Sequence, residues 1–169
     1  MKPLPHLLTA GLALTLAAVP AAAQTYSSAN AYALPTWHSE YAVEPILSVG
    51  ETVPRTSNAS QLFQMVGIPD GTGVYSINQS VAGVYINHEL SQSRLSRPLI
   101  GAPRIRGAFV SHYRIDRVRR GVISGDLAFT EVYNNSTPVG PIADESNTTP
   151  AFARFCSASI AGPREGFDR

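Results

Sequence analysis

Ala108-Phe109-Val110-Ser111-His112-Tyr113-Arg114-Ile115 is the stretch whose pattern decides the fold class. Phe109, Ser111, Tyr113 and Ile115 recur at every second position, with Val110, His112 and Arg114 between them. A period of two puts the sets on opposite faces of a half-exposed strand. Working outward, residues 116–121 read as a charged turn, and Val122-Ile123 begins the return. Residues 127–133 predict a further strand. Residues 134–150 are polar and proline-rich and predict a long loop. Upstream, Val84-Tyr85-Ile86 closes a β-branched and aromatic run that starts at Val81. Leu62-Phe63-Gln64-Met65-Val66 is a shorter run of the same kind. Between them, Pro69-Asp70-Gly71-Thr72-Gly73 predicts a tight turn, because Asp-Gly and a second Gly accept positive φ at little steric cost. No long amphipathic helix is apparent. Short strands punctuated by Gly, Pro and Asn predict an all-β chain.

Composition narrows the function classes. The chain has 169 residues, a formal charge of +1 and 44% apolar residues, which is globular rather than disordered. Residues 1–23 combine Lys2, an apolar core and Ala21-Ala22-Ala23, the pattern of a secretory signal peptide. The apolar core is short for a permanent membrane span, so no stable membrane insertion is expected after its removal. The expected localisation is periplasmic or secreted, in a bacterium. Residues 24–52 read as a leader, and 53–169 as the folded domain. Lys2 is the only lysine, so the remainder balances its arginines against its acids. Near-neutrality removes the general attraction to polyanions, and no nucleic-acid partner is expected. Asn58, Asn78, Asn135 and Asn147 fit glycosylation sequons and are read as polar turns.

Four groups of residues offer chemistry. Asn87-His88-Glu89 directly follows an apolar strand, a rigid place to hold polar groups. An amide, an imidazole and a carboxylate there can orient a phosphate, move a proton or bind a hard cation. A solvated strand end is the alternative. The arginines Arg94, Arg97, Arg104, Arg106, Arg114, Arg117, Arg119 and Arg120 suit phosphate or carboxylate recognition, or else line a solvated surface. Cys156 is the only cysteine, so an intramolecular disulfide is excluded. Phe152 and Phe155 beside it predict a buried, inert thiol. A reactive thiolate would need a base, with His88 and His112 as candidates. The Asp144-Glu145 pair lacks any EF-hand spacing.

Several strings in a fixed order resemble a known family. They are Met65-Val66-Gly67-Ile68-Pro69-Asp70-Gly71-Thr72-Gly73, Val84-Tyr85-Ile86-Asn87-His88-Glu89-Leu90 and Gly107-Ala108-Phe109-Val110-Ser111 with Ile115-Asp116. Ser124-Gly125-Asp126-Leu127 and Arg154-Phe155-Cys156-Ser157-Ala158 follow. Together they resemble the PhoX-like alkaline phosphatases, over roughly residues 53–169. The resemblance implies a β-propeller and a metal-dependent phosphomonoesterase using calcium and iron. Its substrate would be a phosphate monoester or another small molecule. It places Asn87 nearest to a phosphate-orienting catalytic role, and makes Glu89 a catalytic candidate and metal ligand. Cys156 is not equated with the iron-ligating cysteine of that family. Relatives are expected to continue with a "GEE" or "CEE" strand and further blades. Residues 53–169 suffice for about two to three blades at roughly 40–50 residues each, an incomplete propeller. The expected reading is an N-terminal fragment, inactive by itself. The alternative is a non-catalytic secreted β-rich binding or structural protein, since scaffold does not fix function.

Overall fold

The computed structural model describes Ser27, Glu40 and residues 43–156; the signal-peptide reading of 1–23, most of the leader and residues 157–169 lie outside these. In chain order the strands are β1 Thr52–Pro54, β2 Leu62–Gln64, β3 Pro69–Ser76, β4 Val81–His88 and β5 Leu95–Ser96. They continue with β6 Ile105–Arg106, β7 Phe109–Asp116, β8 Gly121–Leu127, β9 Glu131–Asn134 and β10 Thr137–Pro141. The all-β expectation holds: no helix occurs among the described residues, and hence none long and apolar enough to cross a membrane.

The centre is a four-stranded antiparallel sheet in the order β3-β4-β7-β8. Three two-stranded pairs surround it: β1 with β2, β5 with β6, and β9 with β10. No sheet closes on itself among the described residues. The alternation read in β7 is realised, with Phe109, Ser111 and Tyr113 buried and Val110, His112 and Arg114 only partly so. Val84 and His88 of β4 pair with Tyr113 and Phe109, so the same face of both strands turns to the core. That core also takes Val53, Phe63, Met65, Val122, Leu127 and Ile142. Phe63 meets Tyr113 edge-on, with ring centroids 5.7 Å apart. The Tyr113 hydroxyl donates to Met65 Sδ at 3.1 Å. Burial raises the pKa of that phenol, so it stays a donor at neutral pH.

The structure corrects four local expectations. Residues 69–73 are not a tight turn but the start of β3, paired with β4 through a bulge between Pro69 and Thr72. Gly71 and Gly73 are not among the glycines with positive φ; the left-handed residue is Ile68, at φ 54°, just before the strand. A Gly-rich segment beside a long apolar strand meets its hydrogen-bonding needs by joining the ladder, with a bulge where the glycines fall. Second, Asn87 and His88 do not follow β4 but end it, because β7 continues the pairing as far as His88 and Phe109. Third, residues 127–133 are not one strand: β8 stops at Leu127 and β9 starts at Glu131. Fourth, the predicted loop at 134–150 contains β10, whose Pro138, Gly140 and Pro141 disguise a strand. Those residues fit an edge position with a bulge between Pro138 and Gly140.

The reading of the sequon asparagines as polar turns holds at all four sites, Asn135 lying at φ 51° in the two-residue turn between β9 and β10. The side-chain oxygens of Asn58, Asn78 and Asn147 each accept from a backbone N–H two residues on, as in Asx turns.

Asp126 locks the β1 side onto β8. Its carboxylate accepts from Arg55 Nη2 at 2.9 Å and Nε at 3.1 Å, and from the Ser57 amide at 3.1 Å. Burial by itself would raise this carboxyl, but the bonds from Ser57 and Arg55 outweigh it and hold it below the usual carboxylate range. The unfolded chain therefore takes up the proton first as pH falls, and stability is lost below about pH 4. In urea titrations at pH 6 and pH 3, the unsubstituted chain should lose more midpoint than Asp126→Asn does. Equal losses would show that Asp126 is not the linked group.

Candidate functional site

The C-terminal end of β4 gathers three separate parts of the chain. Pairing of Pro69 with His88 brings the start of β3 alongside, and the Glu89 amide donates to Ile68 O at 3.0 Å. The last described segment returns to the same place. There Ala108 N donates to Phe152 O at 2.9 Å, and Arg154 N donates to Leu90 O at 3.0 Å. Backbone hydrogen bonds thus set Asp70, Glu89, Arg154 and Cys156 side by side.

Ligand-type atoms of Asp70, Glu89 and Cys156 all lie within 4.8 Å of one another. Glu89 is half-buried, whereas Asp70 and Cys156 are exposed. The Cys156 thiol donates to Glu89 Oε1 at 3.2 Å, and Arg154 Nη1 reaches the same oxygen at 3.1 Å. The thiol bond first, and the Arg154 bond second, hold the Glu89 carboxyl below its usual range. Conversely, the carboxylate pushes the thiol up. A thiol held protonated is a poor nucleophile.

Sequence-predicted residues fare differently. Glu89 stands in the cluster. Asn87 is buried within β4, opposite Val110. His88 is fully buried and stacks on Phe109 with ring centroids 4.4 Å apart. Its Nδ1 lies 3.3 Å from the Gly67 carbonyl, which only accepts, so Nδ1 carries the proton. Nε2 then accepts from the Ser111 hydroxyl at 2.9 Å. Burial lowers the His88 pKa, and the ring acts as a neutral core member. His112 stacks on Tyr85 at 4.6 Å and bonds the Tyr75 hydroxyl at 3.1 Å. The partner of Cys156 is therefore a carboxylate rather than either histidine proposed as its base.

The expected burial of Cys156 is overturned. Phe152 and Phe155 pack on each other at 5.2 Å, with Phe129 edge-on to Phe152, and the thiol turns outward to Glu89. The predicted arginine set does not converge here. Arg104 pairs with Glu145 at 2.8 Å, Arg120 with Glu44 at 3.2 Å, and Arg106 bonds the carbonyls of Asn147 and Thr149. Asp144 accepts from Ser146 within its own turn, so the Asp144-Glu145 pair is split between two tasks. Asp70 went unrecognised because its segment read as a turn. Ser111 carried a usable signal, being a polar residue on the apolar face of an alternating strand.

Asp70, Glu89 and Cys156 offer two carboxylates and one thiol, a set that would hold a transition metal only after the thiol gives up the proton it donates to Glu89. Calcium takes about 6–8 oxygen ligands, which these residues do not supply by themselves. An apolar groove of about 430 Å³ beside β3 offers no such chemistry, being lined by residues such as Leu47, Val74, Val84 and Ile115. No family model, curated protein or solved structure matches this chain.

Proposed function

We propose that this chain forms the N-terminal part of an exported, metal-dependent phosphomonoesterase of the PhoX-like kind. The observation that carries this reading is the meeting of Asp70, Glu89 and Cys156 within 4.8 Å at the end of β4. The order of the sequence strings supports the family, and the antiparallel sheet β3-β4-β7-β8, with the β5–β6 pair inserted between β4 and β7, has the strand number of one propeller blade.

In this reading Glu89 and Asp70 supply oxygen donors, and Cys156 supplies sulfur once deprotonated. This last assignment is geometric and independent of the family's own cysteine. Iron, when bound, supplies Lewis acidity toward a phosphoryl oxygen. The protein's part is placement: the buried His88–Ser111 pair and the β3–β4 ladder fix the strand end that carries Glu89. Calcium requires oxygen donors from further segments, which is why the 169 residues are expected to be inactive alone.

The open reading frame that carries this chain, read to its own stop codon and expressed whole, should hydrolyse a chromogenic phosphate monoester with calcium and iron supplied. Glu89→Gln should lower that turnover by roughly 100-fold, the scale of losing a charge-stabilising group. An inert whole product, with folding verified by circular dichroism, would overturn the enzymatic reading in favour of a non-catalytic binding protein. Turnover by the 169 residues alone would overturn their assignment as an inactive part.

A further inference from the structure

Three arginines that do not converge on Glu89 meet elsewhere. The turn at 91–94 and the segment at 148–151 enclose an open pocket of about 600 Å³. Ser91, Ser93, Thr148 and Thr149 line it together with the half-buried Arg106 of β6. A second pocket, of about 440 Å³, shares Ser91 and Ser93 and adds Arg94 and Arg104. Hydrogen bonds hold the walls in place: Gln92 Nε2 donates to Ala151 O at 2.9 Å, and Gly107 N donates to Arg94 O at 2.8 Å. Among the described residues, no carboxylate lines either pocket.

Arg104 is paired with Glu145, but Arg94 and Arg106 form no ion pair among the described residues. Arg106 Nη2 donates to the carbonyls of Asn147 and Thr149 at 2.9 Å and 3.3 Å, which orients the guanidinium without neutralising it. Its Nε–H is buried and has no acceptor among the described residues. Nη1 has none there either, and it is not sealed from solvent. A cation so short of acceptors favours a ligand rich in lone pairs, and serine and threonine hydroxyls donate to the same kind of ligand. We infer that Arg106 and Arg94, with the hydroxyls of Ser91, Ser93 and Thr148, form a binding site for a tetrahedral oxyanion, a phosphate or sulfate group. Four oxygens, rather than the two of a carboxylate, match donors spread over β6 and two loops. Asp70, Glu89 and Cys156 line neither pocket, so the inference requires neither the metal nor the turnover proposed above.

The test titrates inorganic phosphate, sulfate and acetate separately into the full 169-residue chain, isotope-labelled for magnetic resonance, at low ionic strength. Phosphate or sulfate should shift the backbone amide signals of Ser91, Ser93 and Thr149 saturably, and the tighter of the two names the ligand. Arg106→Gln should weaken that binding about tenfold or more, the scale of a hydrogen bond to a charged group. Arg94 is exposed, so Arg94→Gln leaves the fold intact and should weaken binding about two- to fivefold. Arg117→Gln, on the turn between β7 and β8, should leave the affinity unchanged. Three results would each overturn the assignment: no saturable shift with either tetrahedral anion, acetate binding as tightly as they do, or full affinity retained in Arg94→Gln and Arg106→Gln.

Discussion

Phe63→Ala should cost about 3–5 kcal/mol of folding stability, a large share of what a domain of this size holds. Phe63 is completely buried although it sits in a strand of only three residues. Its ring meets Tyr113 edge-on at 5.7 Å. It also lies against Gly125, where an added Cβ would stand 3.0 Å from the Phe63 ring and 2.6 Å from Tyr113. One side chain thus joins the β1–β2 pair to β7 and β8. Removing it leaves a cavity that rigid strands on three sides cannot fill. Phe63→Leu keeps most of the volume and should cost only about 1–2 kcal/mol. Urea unfolding followed by far-ultraviolet circular dichroism separates the two variants. A loss below about 1 kcal/mol for Phe63→Ala would refute the assignment of this ring as the link between the sheets.

Gly107→Ala should be the most damaging glycine substitution near the candidate site. Gly107 has φ +81°, where an L side chain is strained. An added Cβ would stand 2.3 Å from the Phe152 carbonyl oxygen and 2.9 Å from the Ala151 Cβ. Phe152 O is the acceptor that docks the last described segment onto Ala108. The clash therefore prises away the segment that delivers Arg154 and Cys156 to Glu89. Gly101→Ala is the control: its φ is +82°, but nothing lies within 4 Å of the added Cβ. The control should lose only the left-handed penalty, about 1–2 kcal/mol. Gly107→Ala should lose a further 1–3 kcal/mol, roughly the scale of overpacking. The rate of Cys156 alkylation should also change in Gly107→Ala and not in Gly101→Ala. Equal stabilities for the two variants would show that the close approach to Phe152 carries no energy.

The segments that were legible share one property: their pattern is local. Phe109, Ser111, Tyr113 and Ile115 announce a strand and its buried face because a strand has period two whatever it pairs with. The misread segments depend on a partner. Residues 69–73 have the composition of a turn, and only the β4 ladder draws them into β3. Thr137–Pro141 looks like a loop until β9 offers it an edge with room for a bulge. The same holds at the candidate site. Glu89 was visible as a carboxylate at a strand end. Asp70 lies in a segment with the composition of a turn, and Cys156 stands beside two phenylalanines, which predict core.

The sequence by itself determined the all-β class, the buried face of β7, the absence of an intramolecular disulfide, and the end of β4 as a place for polar chemistry. These follow from period, residue count and the chemistry of single side chains. Tertiary structure alone decided that Glu89 faces Asp70, Arg154 and Cys156, that His88 is a neutral core residue bonded to Ser111, and that the thiol is exposed. Those outcomes are set by backbone hydrogen bonds between distant segments: Glu89 to Ile68, Ala108 to Phe152, and Arg154 to Leu90. No local pattern encodes such pairings, because each is chosen by the packing of the whole sheet.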